Sequence, residues 1–194
     1  MWILGSHNSW SYLTPKKWWM KLIKFTSKCQ DVNIRDQFNI YNVRFYDLRI
    51  RFDFVTPIVC HGAVVYDISF DELLDDLNWL NNKREKVYIR ITLDTRGSNV
   101  DKEEQELLFK RLCERLNNKY VNINFTCGEN IVTKEVLYKF NPEPSCEEKY
   151  SSVCSPKLID DWYPRLFAKK NNKKLLSKGT DREVLLIDFV NYGH

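Results

Sequence analysis

A series of short apolar segments, separated by stretches with helical periodicity, constrains the fold more than any other feature of this sequence. Segments rich in β-branched and aromatic residues predict strands; they span residues 2–6, 43–52, 58–62, 87–94, 121–127, 135–140 and 183–190. Helical patterns between most of them favour parallel pairing with helical crossovers. We predict a compact (β/α)₈ TIM barrel, incomplete or distorted, because 194 residues are at the short limit for such barrels. An open α/β sheet is the alternative.

Three helix starts are recognisable. Ser69 and Glu72 form the capping pattern S-x-x-E, and Asp101 with Glu104 forms a second one. Thr14 followed by Pro15 predicts another helix, which carries lysines at helical spacing beside Trp18, Trp19, Leu22, Ile23 and Phe25. It is either an ordinary helix that covers the sheet or a rim that rests on an anionic membrane surface through Trp18 and Trp19.

The composition indicates a single folded domain over residues 1–194. Hydrophobic residues make up 43% of the chain, and the net charge of +4 comes from acidic and basic residues that are mixed along it. Nucleic acid is therefore not an expected partner. The six cysteines form no CxxC pair; free thiols are expected, although Cys146 and Cys154 could pair. Without a signal segment or a long apolar run, the mature protein is expected to be soluble, cytoplasmic and peripheral at membranes.

Two histidines stand where strands end. His7 follows the apolar run WILGS, and His61 follows PIVC, whereas His194, the third histidine, is the last residue. Reactive side chains of parallel α/β proteins lie at the carboxyl ends of strands. Two histidines at two strand ends predict a general base and a general acid that face one substrate.

A charged pair lies within the second predicted strand. Alternation along residues 43–52 puts Asp47 and Arg49 on the same face. The pair could be a purely structural ion pair, but an arginine near two histidines is well placed to bind phosphate.

Several segments together resemble the X domain of phosphatidylinositol-specific phospholipase C, as found in bacterial enzymes and in eukaryotic X-domain-only proteins. The order and spacing of the segments make the resemblance specific in the first half of the chain, and it is weaker in the second half. The matching segments are GSHNSW (5–10), CQDVNIRDQFNIYNVRFYDLRI (29–50), PIVCHG (57–62) with its capped helix from Ser69, VYIRITLD (87–94) and LLIDFV (185–190).

The resemblance implies an activity and assigns roles. The family cleaves phosphatidylinositol by attack of the inositol 2-hydroxyl on phosphorus, which releases diacylglycerol and a cyclic inositol phosphate. By this resemblance His7 is the general base and His61 the general acid. Asp188 is the candidate that orients His7, with Asp94 as a less favoured substitute, and Asp47 supports the pair.

The resemblance also bears on metal and substrate binding. Calcium-dependent members carry carboxylates on the second and fourth strands; here Arg49 and Thr92 take such positions. Calcium requires six to eight oxygens, so we expect no metal and no cofactor. Arg49 resembles the arginine of metal-independent bacterial members, which can neutralise phosphate. Asn8, Arg49 and Arg90 are assigned to substrate binding.

Two other functions remain open. A catalytically degenerate barrel could bind phosphoinositide headgroups or a protein, because Asn8 stands where bacterial members have aspartate. Alternatively, the same barrel could cleave another phosphodiester, such as a glycerophosphodiester or a glycosyl-phosphatidylinositol.

Overall fold

The computed structural model describes residues 2–129, 163–179 and 184–192, with residues 127–129 described by their backbone alone. Within these residues the strands are β1 (Ile3–Ser6), β2 (Phe45–Asp53), β3 (Thr56–His61), β4 (Val64–Val65), β5 (Val87–Leu93), β6 (Ile123–Glu129) and β7 (Val184–Ile187). The α-helices are α1 (Lys24–Ser27), α2 (Ile34–Asn39), α3 (Phe70–Asn81), α4 (Lys102–Lys119) and α5 (Pro164–Lys178), and 3₁₀ turns span Trp18–Leu22 and Val190–Tyr192.

Five parallel strands form a curled half-barrel in the order β7-β1-β2-β5-β6. Helices α3 and α4 make the crossovers that precede β5 and β6. The predicted incomplete barrel is confirmed.

β3 is an exception to the parallel pairing that we expected for most of the strands. β3 runs antiparallel to β2, with Ile50 opposite Val59 and Asp53 opposite Thr56, and β4 runs antiparallel to β3. Two residues join β2 to β3, which suffices for a hairpin but is far too short for a parallel crossover. β3 therefore returns along the edge of β2 that β1 leaves after Ser6.

The interior of the half-barrel has two layers. The lower layer is apolar, and Phe45, Val184 and Leu186 pack there against Ile3 and Tyr88. A Cβ atom on Gly5 would lie 2.8 Å from Leu186 Cδ1, so glycine lets these side chains close the layer. The next inward positions along the same strands carry polar groups, and these form the site described below. The apolar floor excludes water from below them.

The predicted helix starts are confirmed at two of the three places. Ser69 and Glu72 make both bonds of the capping box, and Asp101 accepts from the backbone N–H groups of Glu103 and Glu104. No helix begins at Thr14, because Pro15 pairs with Tyr66 as an antiparallel bridge and holds the backbone extended. The chain instead forms the 3₁₀ turn Trp18–Leu22 and the single turn α1.

The helical pattern of residues 158–176 predicts a partly helical segment with a break at Pro164. Pro164 is the first residue of α5, a position that its missing N–H allows, and residues 158–162 lie outside the described part of the chain. The prolines and serines of residues 141–156 predict a loop. This loop, the predicted strand at 135–140, His194 and the pair Cys146 and Cys154 lie outside the described residues.

Candidate active site

His7 lies immediately after β1 and Asp188 immediately after β7, at the carboxyl ends of two adjacent parallel strands. The register pairs Ser6 with Ile187, so the chain brings the next residue of each strand together. Asp188 Oδ1 lies 2.7 Å from His7 Nδ1, and both side chains are buried. This contact holds the imidazole ring in one orientation.

The protonation pattern of His7 follows from its two neighbours. Arg49 Nη2 lies 2.8 Å from His7 Nε2, and a guanidinium can only donate. Nε2 must therefore accept, which puts the ring proton on Nδ1, where it is donated to Asp188. The nitrogen that faces Arg49 thus carries a lone pair, as a general base requires.

Asp47 links β2 to this histidine. Its Oδ1 accepts from Arg90 Nε at 2.9 Å, and its Oδ2 accepts from the Asn8 backbone N–H at 3.0 Å and lies 3.5 Å from Arg49 Nε. Burial alone would raise the pKa of Asp47, but the guanidinium groups of Arg90 and Arg49 hold it well below the usual range. Asp47 is therefore a charged carboxylate that fixes both arginines. Arg90, a predicted substrate-binding residue, is buried and faces Asp47.

His61 comes to the same place from the opposite direction. β1 runs up one edge of β2 and ends, and β3 runs down the same edge and ends at His61, so the two imidazoles meet across the gap between them. Their ring centroids are 6.2 Å apart and their planes are perpendicular. His61 Nδ1 lies 3.0 Å from the Ser27 carbonyl oxygen. Burial, followed by the positive charge of Arg49, lowers the pKa of His61 to about 3.

Asp94, the second candidate for orienting His7, lies elsewhere. Its Oδ2 accepts from the Gly62 backbone N–H at 2.7 Å and from Arg96 Nη2 at 2.6 Å. Burial alone would raise the pKa of Asp94, but these bonds lower it to about 2. Asp94 therefore holds the backbone that follows His61.

The depressed pKa of His61 makes stability depend on pH. An unfolded histidine titrates near 6.5, so between about pH 6.5 and 3 the unfolded chain binds a proton that the folded chain does not. The free energy of unfolding is expected to fall with falling pH, by at most about 1.4 kcal/mol per pH unit. Thermal unfolding between about pH 7 and 4.5 measures this, because Asp47 and Asp94, with lowered pKa values, lose their contribution only at lower pH.

The matched variant is His61→Gln, which keeps a polar side chain but cannot titrate. Its melting temperature is expected to fall less steeply over the same range. Equal slopes would contradict the desolvation of His61.

Buried amides hold the backbone around His7 and Asp188, and no local sequence pattern predicts them. Gln30 Nε2 donates to the carbonyl oxygens of His7 and Ile187 at 3.1 and 3.0 Å, and its Oε1 accepts from Val190 N. Asn172 Nδ2 donates to the Asp188 carbonyl oxygen at 2.6 Å. These side chains fix the strand ends that carry the histidine and the aspartate. A lone glutamine or asparagine in a polar stretch does not reveal such a role.

Asn8 and Cys29 lie on the inner side of His7. Asn8 adopts the left-handed conformation, with φ of 47°, and its side chain is buried. Burial, with the adjacent Asp188 carboxylate, raises the pKa of the Cys29 thiol well above its usual value. The structure thus places Asn8, a predicted substrate-binding residue, with its side chain toward the protein interior.

An exposed apolar patch borders the site. Trp18 is 75% exposed, Trp19 44% and Leu22 71%, and Ile23 and Phe25 are exposed as well. Ser27, whose carbonyl oxygen contacts His61, closes the same segment. A helix that merely covered the sheet would bury these side chains. We call residues 18–25 the apolar rim.

Comparison with solved structures gives the fold. A pentafluoro-Phe-incorporated phosphatidylinositol-specific phospholipase C from Staphylococcus aureus matches with a TM-score of 0.60 at 15% identity, covering 96% of this chain and 85% of that chain. The enzyme from Listeria monocytogenes matches with a TM-score of 0.62 at 16% identity, covering 96% and 87%. The chain has the fold of bacterial phosphatidylinositol-specific phospholipases C. No protein-family model and no curated protein matches the sequence.

The phospholipase C-like fold agrees with the resemblance seen in the sequence. Identity of 15–16% establishes the fold alone.

Proposed function

We propose that this protein is a phosphodiesterase that cleaves phosphatidylinositol-type lipids without a metal ion. The observation that supports this most is the His7 ring, bonded to Asp188 on one nitrogen and facing Arg49 with the other, with His61 opposite it. A general base, a second imidazole and a guanidinium are the groups that in-line transfer at a phosphodiester needs.

The reaction proceeds by intramolecular attack. His7 Nε2 takes the proton of the inositol 2-hydroxyl, and the oxygen forms a bond to phosphorus. The bond from phosphorus to the diacylglycerol oxygen breaks, and His61 gives that oxygen a proton. The products are diacylglycerol and a cyclic inositol phosphate, and the proton balance leaves His7 protonated and His61 neutral.

The substrate itself prepares His61 for this role. In the free protein its low pKa keeps it neutral, partly because Arg49 is nearby. A phosphodiester between Arg49 and His61 brings a negative charge that offsets the guanidinium. Binding therefore raises the pKa of His61, and the imidazole takes up the proton that it delivers to the leaving group.

Arg49 supplies the positive charge that a metal ion would otherwise provide. Asp47, which a cation would need as a ligand, is already engaged by Arg90 and Asn8 and lies close to Arg49. The fixed guanidinium can contact two phosphate oxygens and stabilise the charge that develops in the transition state.

The test is incubation of the full chain with phosphatidylinositol vesicles in excess chelator, with the water-soluble products resolved by ³¹P NMR. We expect cyclic inositol phosphate, with no loss of rate on adding the chelator. Headgroup binding without product would favour a non-catalytic binding module. Cleavage only of a glycerophosphodiester or a glycosyl-phosphatidylinositol would assign another substrate to the same groups.

The apolar rim is proposed to contact the membrane. Among the described residues no helix is both long and apolar enough to span a bilayer. Lys17 and Lys21 are exposed beside Trp18 and Trp19, which suits an anionic surface. Insertion of these side chains would place His7 and His61 next to the lipid headgroups.

Replacing Trp18 and Trp19 together with alanine is expected to weaken binding to phosphatidylinositol vesicles by about tenfold or more. An indole covers about 150–250 Å², and burial contributes about 25 cal/mol per Å², so even partial insertion exceeds the 1.4 kcal/mol that tenfold requires. Vesicle sedimentation measures the binding, and turnover of a short-chain soluble substrate is expected to change little.

The control for the rim replaces Leu107 and Val121, two exposed apolar residues outside it, with alanine. This protein should bind vesicles like the unmodified chain. Equal loss of activity on soluble and vesicular substrates in the tryptophan variant would indicate a packing role instead.

A further inference from the structure

We propose that His7, Cys29 and Asp188 form an inhibitory site for a thiophilic divalent cation such as Zn²⁺. The site lies on the Nδ1 side of His7, away from Asp47 and the proposed substrate. The proposed site is therefore distinct from the position beside Asp47 where an ion could assist phosphate binding.

The geometry of the three side chains suits a zinc site. One candidate ligand atom from each of them lies within 4.8 Å of the others, and all three residues are buried. Zinc binds thiolate sulfur at about 2.3 Å and imidazole nitrogen or carboxylate oxygen at about 2.0–2.2 Å, usually in a tetrahedron. Entry of the ion between His7 Nδ1 and Asp188 requires these two groups to separate by a small distance. A thiolate and a carboxylate together neutralise the charge of the ion, which suits a site that water does not reach.

A buried donor at the site provides independent support. Within the described part of the chain, Asn8 Nδ2 is buried and has no hydrogen-bond partner, although a buried amide without one is costly. The Asn8 side chain lies within reach of the Cys29 sulfur. A thiolate at Cys29 would accept from this amide, so metal binding would satisfy a donor that the free protein leaves unused.

Binding of the ion changes the protons of the site in a defined way. The Cys29 thiol loses its proton to solvent as sulfur bonds to the metal. The metal takes the Nδ1 lone pair, so the proton at Nδ1 moves to Nε2, and the net release is one proton per ion. Nε2–H can no longer accept the inositol proton. It also points at the Arg49 guanidinium, so two N–H donors face each other without an acceptor. The metal-bound form therefore lacks a general base. This loss of activity rests on the function proposed above, whereas metal binding is independent of that function.

The direct test uses Co²⁺ as a spectroscopic substitute for Zn²⁺ with the full chain. We expect one ion per chain, with a thiolate-to-cobalt charge-transfer band in the near ultraviolet that added Zn²⁺ abolishes by displacement. Absence of the band in the unmodified protein would overturn the proposal, whether or not the protein is an enzyme.

Variants then locate the site. Cys29→Ala and Cys29→Ser should lose the band, whereas Cys60→Ala, which removes another buried thiol, should keep it. Inhibition adds a second readout if the protein cleaves phosphatidylinositol, with each variant compared with its own metal-free rate. The zinc concentration that halves this rate should rise at least about tenfold for Cys29→Ala. The same concentration should stay constant for Cys60→Ala. A band that survives in Cys29→Ala would show that another thiol binds the metal and would overturn the assignment.

Discussion

Replacing His7 with alanine is expected to lower kcat for phosphatidylinositol cleavage by about 10²–10⁴-fold, the usual contribution of one general base. The rate falls because no other described group stands where it could take the inositol proton: Asp47 is held by two arginines, and Asp188 lies behind the ring. Release of cyclic inositol phosphate from vesicles in chelator measures the change. Vesicle binding should be retained, since the apolar rim is untouched.

The coupling of His7 to Asp188 provides a sharper form of this test. Asp188→Asn alone is expected to lower kcat strongly, because an amide no longer fixes the proton on Nδ1. In the His7→Ala background the same substitution should cost little more, since groups that act as a unit are not additive. Independent, multiplying losses would show that Asp188 does not act through His7.

Replacing Arg49 with lysine is expected to lower kcat by about 10²–10³-fold, comparable to removing one preorganised donor to a developing charge. Lysine keeps the positive charge but lacks the planar fork that can contact His7, Asp47 and two phosphate oxygens at once. The loss should fall mainly on kcat, because the charge is retained in the ground state. Steady-state kinetics with a soluble substrate separate kcat from KM.

The matched control for Arg49 is Arg44→Lys, which makes the same chemical change just before β2. Arg44 pairs with Glu85 and donates to the Phe38 carbonyl oxygen, outside the site. Its replacement should leave kcat within about a factor of two, because the contacts of its side chain lie with Glu85, Phe38 and Val43. A large loss of kcat in both variants would mean that Arg49 acts by stabilising the folded protein. A calcium requirement in Arg49→Lys would show that the guanidinium takes the place of an ion.

Much of the fold was predictable because it depends on local patterns. Alternation along residues 43–52 and 87–94 put Asp47, Arg49 and Arg90 on one side of their strands, and the structure shows them on the inside of the half-barrel. The capping box at Ser69 and the N-cap at Asp101 were equally predictable, because their bonds close within one turn. The prediction of a helix from Thr14 was wrong because Pro15 pairs with Tyr66, which is 51 residues away in the chain. No local sequence pattern predicts such a contact.

The sequence by itself determined that His7 and His61 stand where predicted strands end and that Arg49 shares a strand face with Asp47, and the family resemblance added Asp188 as a candidate. Only the tertiary structure decided that the carboxylate of Asp188 meets His7 and that Asp94 does not. Strand register decides this, and register depends on backbone pairing between segments about 180 residues apart. The two-residue turn between β2 and β3 sends β3 back along β2, and the pairing of β1 with β2 then brings the two histidines to one gap from opposite directions. The buried amides of Gln30 and Asn172 also depend on tertiary structure, because a hydrogen bond to a distant backbone group cannot be predicted from the residues next to it in the sequence.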